Sequence, residues 1–178
     1  SLNLLLQELR SVEAEGGVVA AGRQAISVRV PYALGITCGN DAGRTVVSLL
    51  PVDSALFASA TFAGYAYREG TGAYVYVDVG ASAMQLASSG VCTGNQITTL
   101  AGGAYLALAP TVPAALNVGT PLLVFQRIDY AFLPSVIVPG RLALWRSVQG
   151  GPREELAVPF DSSSAFRFFA VGDDTSRT

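Results

Sequence analysis

Leu2, Leu5, Leu6, Leu9 and Val12 recur at i, i+3, i+4, i+7 and i+10, while Gln7, Glu8, Arg10, Glu13 and Glu15 mostly lie off that stripe. Such spacing predicts an amphipathic helix over residues 2–15, stopped by Gly16-Gly17. A single short helix of this kind needs a sheet to lie on. The rest of the chain supplies the period-2 pattern of strands. Ala25–Val30 alternates, with Ile26, Val28 and Val30 on one face, and Thr45–Leu50 follows, ended by Pro51. Phe62–Arg68 and Ala73–Val79 flank Glu69-Gly70-Thr71-Gly72, the pattern of a hairpin with a glycine-containing turn. Tyr74, Tyr76 and Asp78 fall on one face of its second arm, and Val75, Val77 and Val79 on the other. Further strands are predicted at 104–109, 122–130, 142–148, 154–158 and 166–171, and the polar tail 172–178 is expected to fray.

No second helical pattern separates these strands, so antiparallel pairing is expected rather than βαβ units. The expected fold class is α+β, an N-terminal amphipathic helix packed on an antiparallel β-sheet-rich body. At 178 residues the chain suits one domain, with 18–171 as the β-rich body. No repeat, low-complexity tract or composition shift suggests a boundary.

Composition narrows the chemistry. The 11 basic residues are all arginine, and the chain has no lysine and no histidine. That removes Ser-His-Asp and Cys-His nucleophile systems, histidine metal ligands, Schiff-base lysines and the Walker lysine. A net charge of -2 and a pI near 5.0 give no basic stripe for nucleic acid. Charged residues are 13% of the chain, about half the usual share of about 25%. The forty-eight residues from Val79 to Gln126 carry no charge, but glycines, prolines, Asn95 and Gln96 leave no window of about 20 apolar residues. A body so poor in charge is expected to bury surface against neighbours, as polymer or shell subunits do.

Cys38 and Cys92 sit among glycines and small polar residues. They read either as a disulfide closing a long loop, worth about 3–4 kcal/mol, or as two unpaired buried thiols; the even count and the loop positions favour the bridge. Neither has a basic neighbour in sequence to lower its pKa. The carboxylates show no pairing that a glycosidase would need, and Asn40-Asp41 and Asp173-Asp174 lack the spacing of a calcium loop. Gly70-Thr71-Gly72 and Gly102-Gly103 stand between no strand and helix, and Ser162-Ser163-Ser164 lacks a base and a nucleophile elbow. Neither a metal site nor a cofactor is expected, nor an enzyme. Tyr65, Tyr67, Tyr74 and Tyr76, on facing arms of the hairpin, form a candidate aromatic binding surface, with cross-strand packing the commoner use of such residues. Trp145 reads as packing too.

The last fifty residues carry a further pattern. Val124-Phe125-Gln126-Arg127-Ile128-Asp129-Tyr130-Ala131-Phe132 is followed by Gly140-Arg141-Leu142-Ala143-Leu144-Trp145-Arg146, then Glu154-Glu155-Leu156-Ala157 and Phe166-Arg167-Phe168-Phe169. In this order the segments resemble the C-terminal sheet of type IV minor pilins and type II secretion pseudopilins, PilW-like or J-pseudopilin-like. The helix at the start, the strand at Ile26–Val30 and the cysteine-bearing Leu34-Gly35-Ile36-Thr37-Cys38 are similar to the family as well. The resemblance implies a pilin-like fold, with residues 1–15 the C-terminal part of a longer helix. Its apolar half, basic leader and methylated N-terminus would precede Ser1. It further implies a non-enzymatic subunit that assembles with other pilin or pseudopilin subunits, using Leu2, Leu5, Leu6, Leu9 and Val12 as a helix assembly face. Such a subunit is anchored in the inner membrane before assembly and then lies in a periplasmic or cell-surface filament. That oxidising location suits a Cys38–Cys92 bridge. The competing readings are a secreted β-sandwich adhesin or carbohydrate-binding module, and a self-assembling shell protein.

Overall fold

The computed structural model describes residues 2–13, 15–70, 72–97, 100–113, 116 and 118–169. In chain order the elements are α1 (Leu2–Ser11), β1 (Val18–Ala21), β2 (Ala25–Asp41), β3 (Arg44–Leu49), α2 (Pro51–Ser59), β4 (Gly64–Arg68) and β5 (Tyr74–Asp78). A single 3-10 turn at Ala81–Ala83 precedes β6 (Met84–Leu86), α3 (Gly90–Gly94), β7 (Tyr105–Leu108), β8 (Pro121–Pro134), β9 (Leu142–Val148) and β10 (Glu154–Phe160). They fall into two compact units, one drawn from residues 1–30 and 127–178, the other from 31–126. The long strands β2 and β8 contribute to both.

In the first unit the strands run β10-β9-β8-β2, with β1 antiparallel to β2. One sheet face carries Ile26, Val28, Val30, Ile128, Tyr130 and Leu144, all buried. Leu5 and Leu9 of α1 and Val12 just after it pack against it, as do Phe160, Phe166 and Phe168. Phe132 lies 5.2 Å from Phe160 and 4.9 Å from Phe166, ring centre to ring centre. At about 25 cal/mol per Å² of apolar surface removed from water, this face holds the unit together.

In the second unit the order is β5-β4-β8-β2-β3-β7-β6. Val47, Leu49, Tyr65, Tyr67, Leu106 and Leu122 are central members of its core. Tyr65 donates its hydroxyl proton to the Pro110 carbonyl. Thr45 satisfies two groups at once, accepting from the Val112 amide at 2.8 Å and pairing with Asn40 Oδ1 at 2.8 Å. Gly64 is required where β4 passes under Phe125: a Cβ there would stand 2.1 Å from the Val77 carbonyl oxygen and 2.6 Å from the Phe125 ring.

The α+β, pilin-like helix-on-sheet architecture is overturned. Among the described residues the fold is mostly antiparallel β-sheet, 45% strand and 17% helix in ten strands, with a short N-terminal helix. The reason is length. The ten residues of α1 span about 15 Å at 1.5 Å per residue, and period-2 segments fill most of the chain. Two local differences accompany this. Pro51 opens a helix instead of only closing a strand, because proline at the first helical position loses no hydrogen bond. Asp53 in that first turn accepts from the Leu34 amide at 2.9 Å. At the other end, the segment expected as a strand at 166–171 is described only to Phe169 and holds a single bridge at Phe168. The tail 172–178 lies outside the described residues.

Among the described residues no helix is long and apolar enough to cross a membrane, which says nothing of a β-barrel.

Candidate functional site

The most specific polar arrangement joins α1 to the sheet of the first unit. Leu5, Glu8, Leu9 and Val12 are three, four and seven residues apart, so they share one helix face. Three of them meet apolar side chains, and Glu8 meets charge. Its carboxylate accepts from Arg146 Nη2 at 2.6 Å and Nε at 3.2 Å, a two-pronged grip, and from the Tyr130 hydroxyl. Tyr130 and Arg146 are directly paired across β8 and β9, so both reach the helix side of the sheet. Glu8 and Arg146 side chains are only 8% and 14% exposed.

The physical cost of this pair is high and so is its geometric demand. An ionised carboxylate in such a place costs several kcal/mol to desolvate unless a partner meets it closely. A bidentate guanidinium does so with two charge-assisted hydrogen bonds in one plane. Burial, then the hydrogen bond and charge of Glu8, raise the Tyr130 hydroxyl well above its ordinary value, against the opposing pull of Arg146. For Arg146, burial alone lowers the pKa, and the hydrogen bond and charge of Glu8 more than reverse it. The result is a helix fixed in rotation and in axial position, not merely resting on an apolar face.

This divides the proposed helix assembly face. Leu5, Leu9 and Val12 are occupied by the sheet, while Leu2 and Leu6 are about half exposed. By sequence alone Glu8 reads as a solvated residue off the apolar stripe. The available signal is its place between Leu5, Leu9 and Val12, on the face that turns towards the sheet, where a carboxylate needs a partner.

Cys38 of β2 and Cys92 of α3 form a disulfide, with S–S 2.03 Å and Cα–Cα 4.7 Å. Both are fully buried beside Val46. Asn95 continues the staple, donating from Nδ2 to the Cys38 carbonyl at 2.8 Å and to the Val91 carbonyl at 3.1 Å. Closing a separation of 54 residues is worth about 4 kcal/mol in the chain-entropy account. It ties α3, part of the long uncharged stretch, to β2.

The four hairpin tyrosines do not form one surface. Strand register pairs Tyr65 with Val77 and Ala66 with Tyr76, so the two arms present their tyrosines to opposite faces. Tyr65 and Tyr67 enter the core. Tyr74 and Tyr76 lie half buried on the other face, with Tyr76 5.5 Å from Phe125 and the Arg68 guanidinium 4.4 Å above the Tyr74 ring. Trp145 is half buried in β9, and its buried indole N–H has no hydrogen-bond partner among the described residues.

A cavity of about 470 Å³ in the first unit lies among the β1–β2 turn, β8, β9 and the turn after β9. Asp129, Arg146 and Arg153 are its charged lining. Nearby, Arg127 Nε bonds Ser27 Oγ at 2.9 Å and stands 3.9 Å from Asp129. One carboxylate among guanidinium groups, with the Ser27 and Ser147 hydroxyls in the same lining, makes a polar pocket that can take a polar ligand. Among the described residues no group of three or more His, Cys, Asp or Glu side chains converges as a metal site would require.

Two outcomes follow from the burial of these groups. Glu8→Ala and Arg146→Ala each lower the unfolding free energy by about 3–5 kcal/mol, because each strands a buried charge. The double variant loses much less than the sum of the two, which denaturant unfolding of the four proteins in a cycle measures. Alkaline pH acts through tyrosine. Burial pushes Tyr65 up to about 12 and raises Tyr32, Tyr67 and Tyr130 as well. The unfolded chain ionises these hydroxyls near about 10, so stability is fully present below that pH and falls as pH rises through the folded values. Tyrosinate absorbance and circular dichroism, titrated together, are expected to show that a late group of hydroxyls ionises only as the fold is lost.

No family model, no curated protein and no solved structure matches this chain.

Proposed function

We propose that the chain is a non-catalytic structural subunit that works outside the cytoplasm by assembling with other subunits, and that those partners are pilins or pseudopilins. The observation that carries the reading is the Glu8–Arg146–Tyr130 clamp. A helix locked in one direction on its own sheet, with Leu2 and Leu6 still turned outwards, can transmit the position of a body to whatever packs against the helix. A buried ion pair is a poor way to gain stability and a good way to fix one arrangement among several. The Cys38–Cys92 bridge suits an oxidising compartment, and the order of the C-terminal motifs from Val124 to Phe169 is what points to pilins in particular. The reading does not rest on a pilin-like architecture. The carbohydrate-binding alternative keeps only Tyr74 and Tyr76 of its four tyrosines outside the core.

The experiment is to read the gene upstream of the Ser1 codon. The expected result is a basic leader, a cleavage site and about 20 apolar residues running in frame into Leu2. An ordinary secretory signal peptide ending just before Ser1 overturns the filament reading.

A further inference from the structure

The sheet of the first unit has a second face, turned away from α1. Ile26, Val28, Tyr130 and Leu144 point to the helix side. By alternation Ser27, Asp129, Ala131, Trp145 and Ser147 point to the other. Ser147 stands directly opposite Asp129, and Trp145 opposite Ala131, on the neighbouring strands β9 and β8. This face is the floor of the cavity of about 470 Å³, a volume ordinary for a small-ligand site. Its walls come from the β1–β2 turn and the turn after β9. Both are built of small residues, Ala21 and Gly22 on one side and Gly150 and Gly151 on the other, which leave the space unfilled.

The polar groups of this cavity are not used up inside the fold. Ser147 is only 7% exposed, yet its hydroxyl has no hydrogen-bond partner among the described residues. The buried indole N–H of Trp145 has none either. Unpaired donors in such places are uncommon and call for a partner. Asp129 keeps lone pairs to spare, since its nearest guanidinium, Arg127, is 3.9 Å away and its side chain is 38% exposed. Charge then narrows the ligand. Glu8 neutralises Arg146, and Arg127 offsets Asp129. Arg153, in the cavity wall, has no ion pair among the described residues, so one positive charge is uncommitted.

We propose that this cavity binds an acidic sugar, a pyranose ring that carries a carboxylate. The carboxylate pairs with the Arg153 guanidinium. Adjacent ring hydroxyls donate to Asp129 and exchange hydrogen bonds with Ser147, and an apolar C–H face of the ring lies along Trp145. A compact phosphate fits less well, because it brings its charge against Asp129. A neutral sugar leaves Arg153 without a partner, and an apolar acid leaves Asp129 and Ser147 without theirs once water is displaced. The site uses none of the hairpin tyrosines, and it holds whether or not the chain assembles with pilins.

Trp145 is the one tryptophan of the chain, so its fluorescence reports on this wall without a label. The full chain is titrated with methyl glucuronide, methyl glucoside and cyclohexanecarboxylate. The expected result is a saturable change in emission with the glucuronide, and affinities about tenfold weaker or worse for the other two. Arg153→Ala is expected to bring the glucuronide down to the affinity of the glucoside. Asp129→Ala is expected to remove the response to both sugars while the circular dichroism spectrum is unchanged. Should Asp129→Ala disturb the fold, Arg153→Ala, on an exposed side chain, decides alone. No saturable response to the glucuronide, an equal affinity for cyclohexanecarboxylate, or binding indifferent to Arg153→Ala overturns the inference.

Discussion

Taking the Glu8 carboxylate out of water is the most demanding step in this structure. Burial of that charge costs several kcal/mol, and the Arg146 guanidinium offsets it only when the helix stands at one height and one rotation above β8 and β9. Tyr130 adds a third contact from below, and its own burial depends on the helix being there. The apolar contacts of Leu5, Leu9 and Val12 with the sheet are non-directional and would tolerate sliding. The ion pair does not tolerate it. The first unit therefore has two kinds of cohesion, an apolar face that supplies most of the stability and a polar clamp that selects the arrangement.

Scarcity of charge shapes the second unit differently. With no charge between residues 79 and 126, that half of the unit supplies no ion pair of its own to order its connections. It uses covalent and neutral devices instead: the Cys38–Cys92 bridge, the Asn95 amide on the Cys38 carbonyl, and Thr45 joining Asn40 to Val112. Apolar surface is left over. Leu34, Leu50, Val52 and Leu56, around the first turn of α2 and the strand beside it, are all exposed. Leftover surface of this kind is what a docking partner would cover.

How much of this could be read from the sequence depends on the range of the interactions involved. The N-terminal helix and the β4–β5 hairpin rest on local periodicity and turn chemistry, and both are present, although the helix ends at Ser11 and not at the expected residue 15. The two cysteines were visible as an even pair in loop-like surroundings. What escaped was set by partners far away in sequence. Glu8 looks like a solvated helix residue until Arg146, 138 residues later, is placed beside it. Residues 51–59 show no apolar stripe, and α2 forms because Pro51 can open a helix and Asp53 holds the Leu34 amide. The unbroken length of β2, 17 residues through Pro31, is likewise imposed by the strands on either side of it. The tyrosines show the limit well: their period-2 spacing was legible, but not the register that sends Tyr65 and Tyr67 inwards and Tyr74 and Tyr76 outwards.

The central claim is that α1 is an integral part of the first unit, locked by Glu8, and not an appendage that frays. Native-state hydrogen exchange, resolved by residue, tests it most directly. If the clamp holds, the hydrogen-bonded amides of Leu6 to Arg10 exchange as slowly as those of β8 and β9, and open only when the whole unit opens. Exchange of those helix amides by local fraying, far faster than the strands beneath them, would contradict the account.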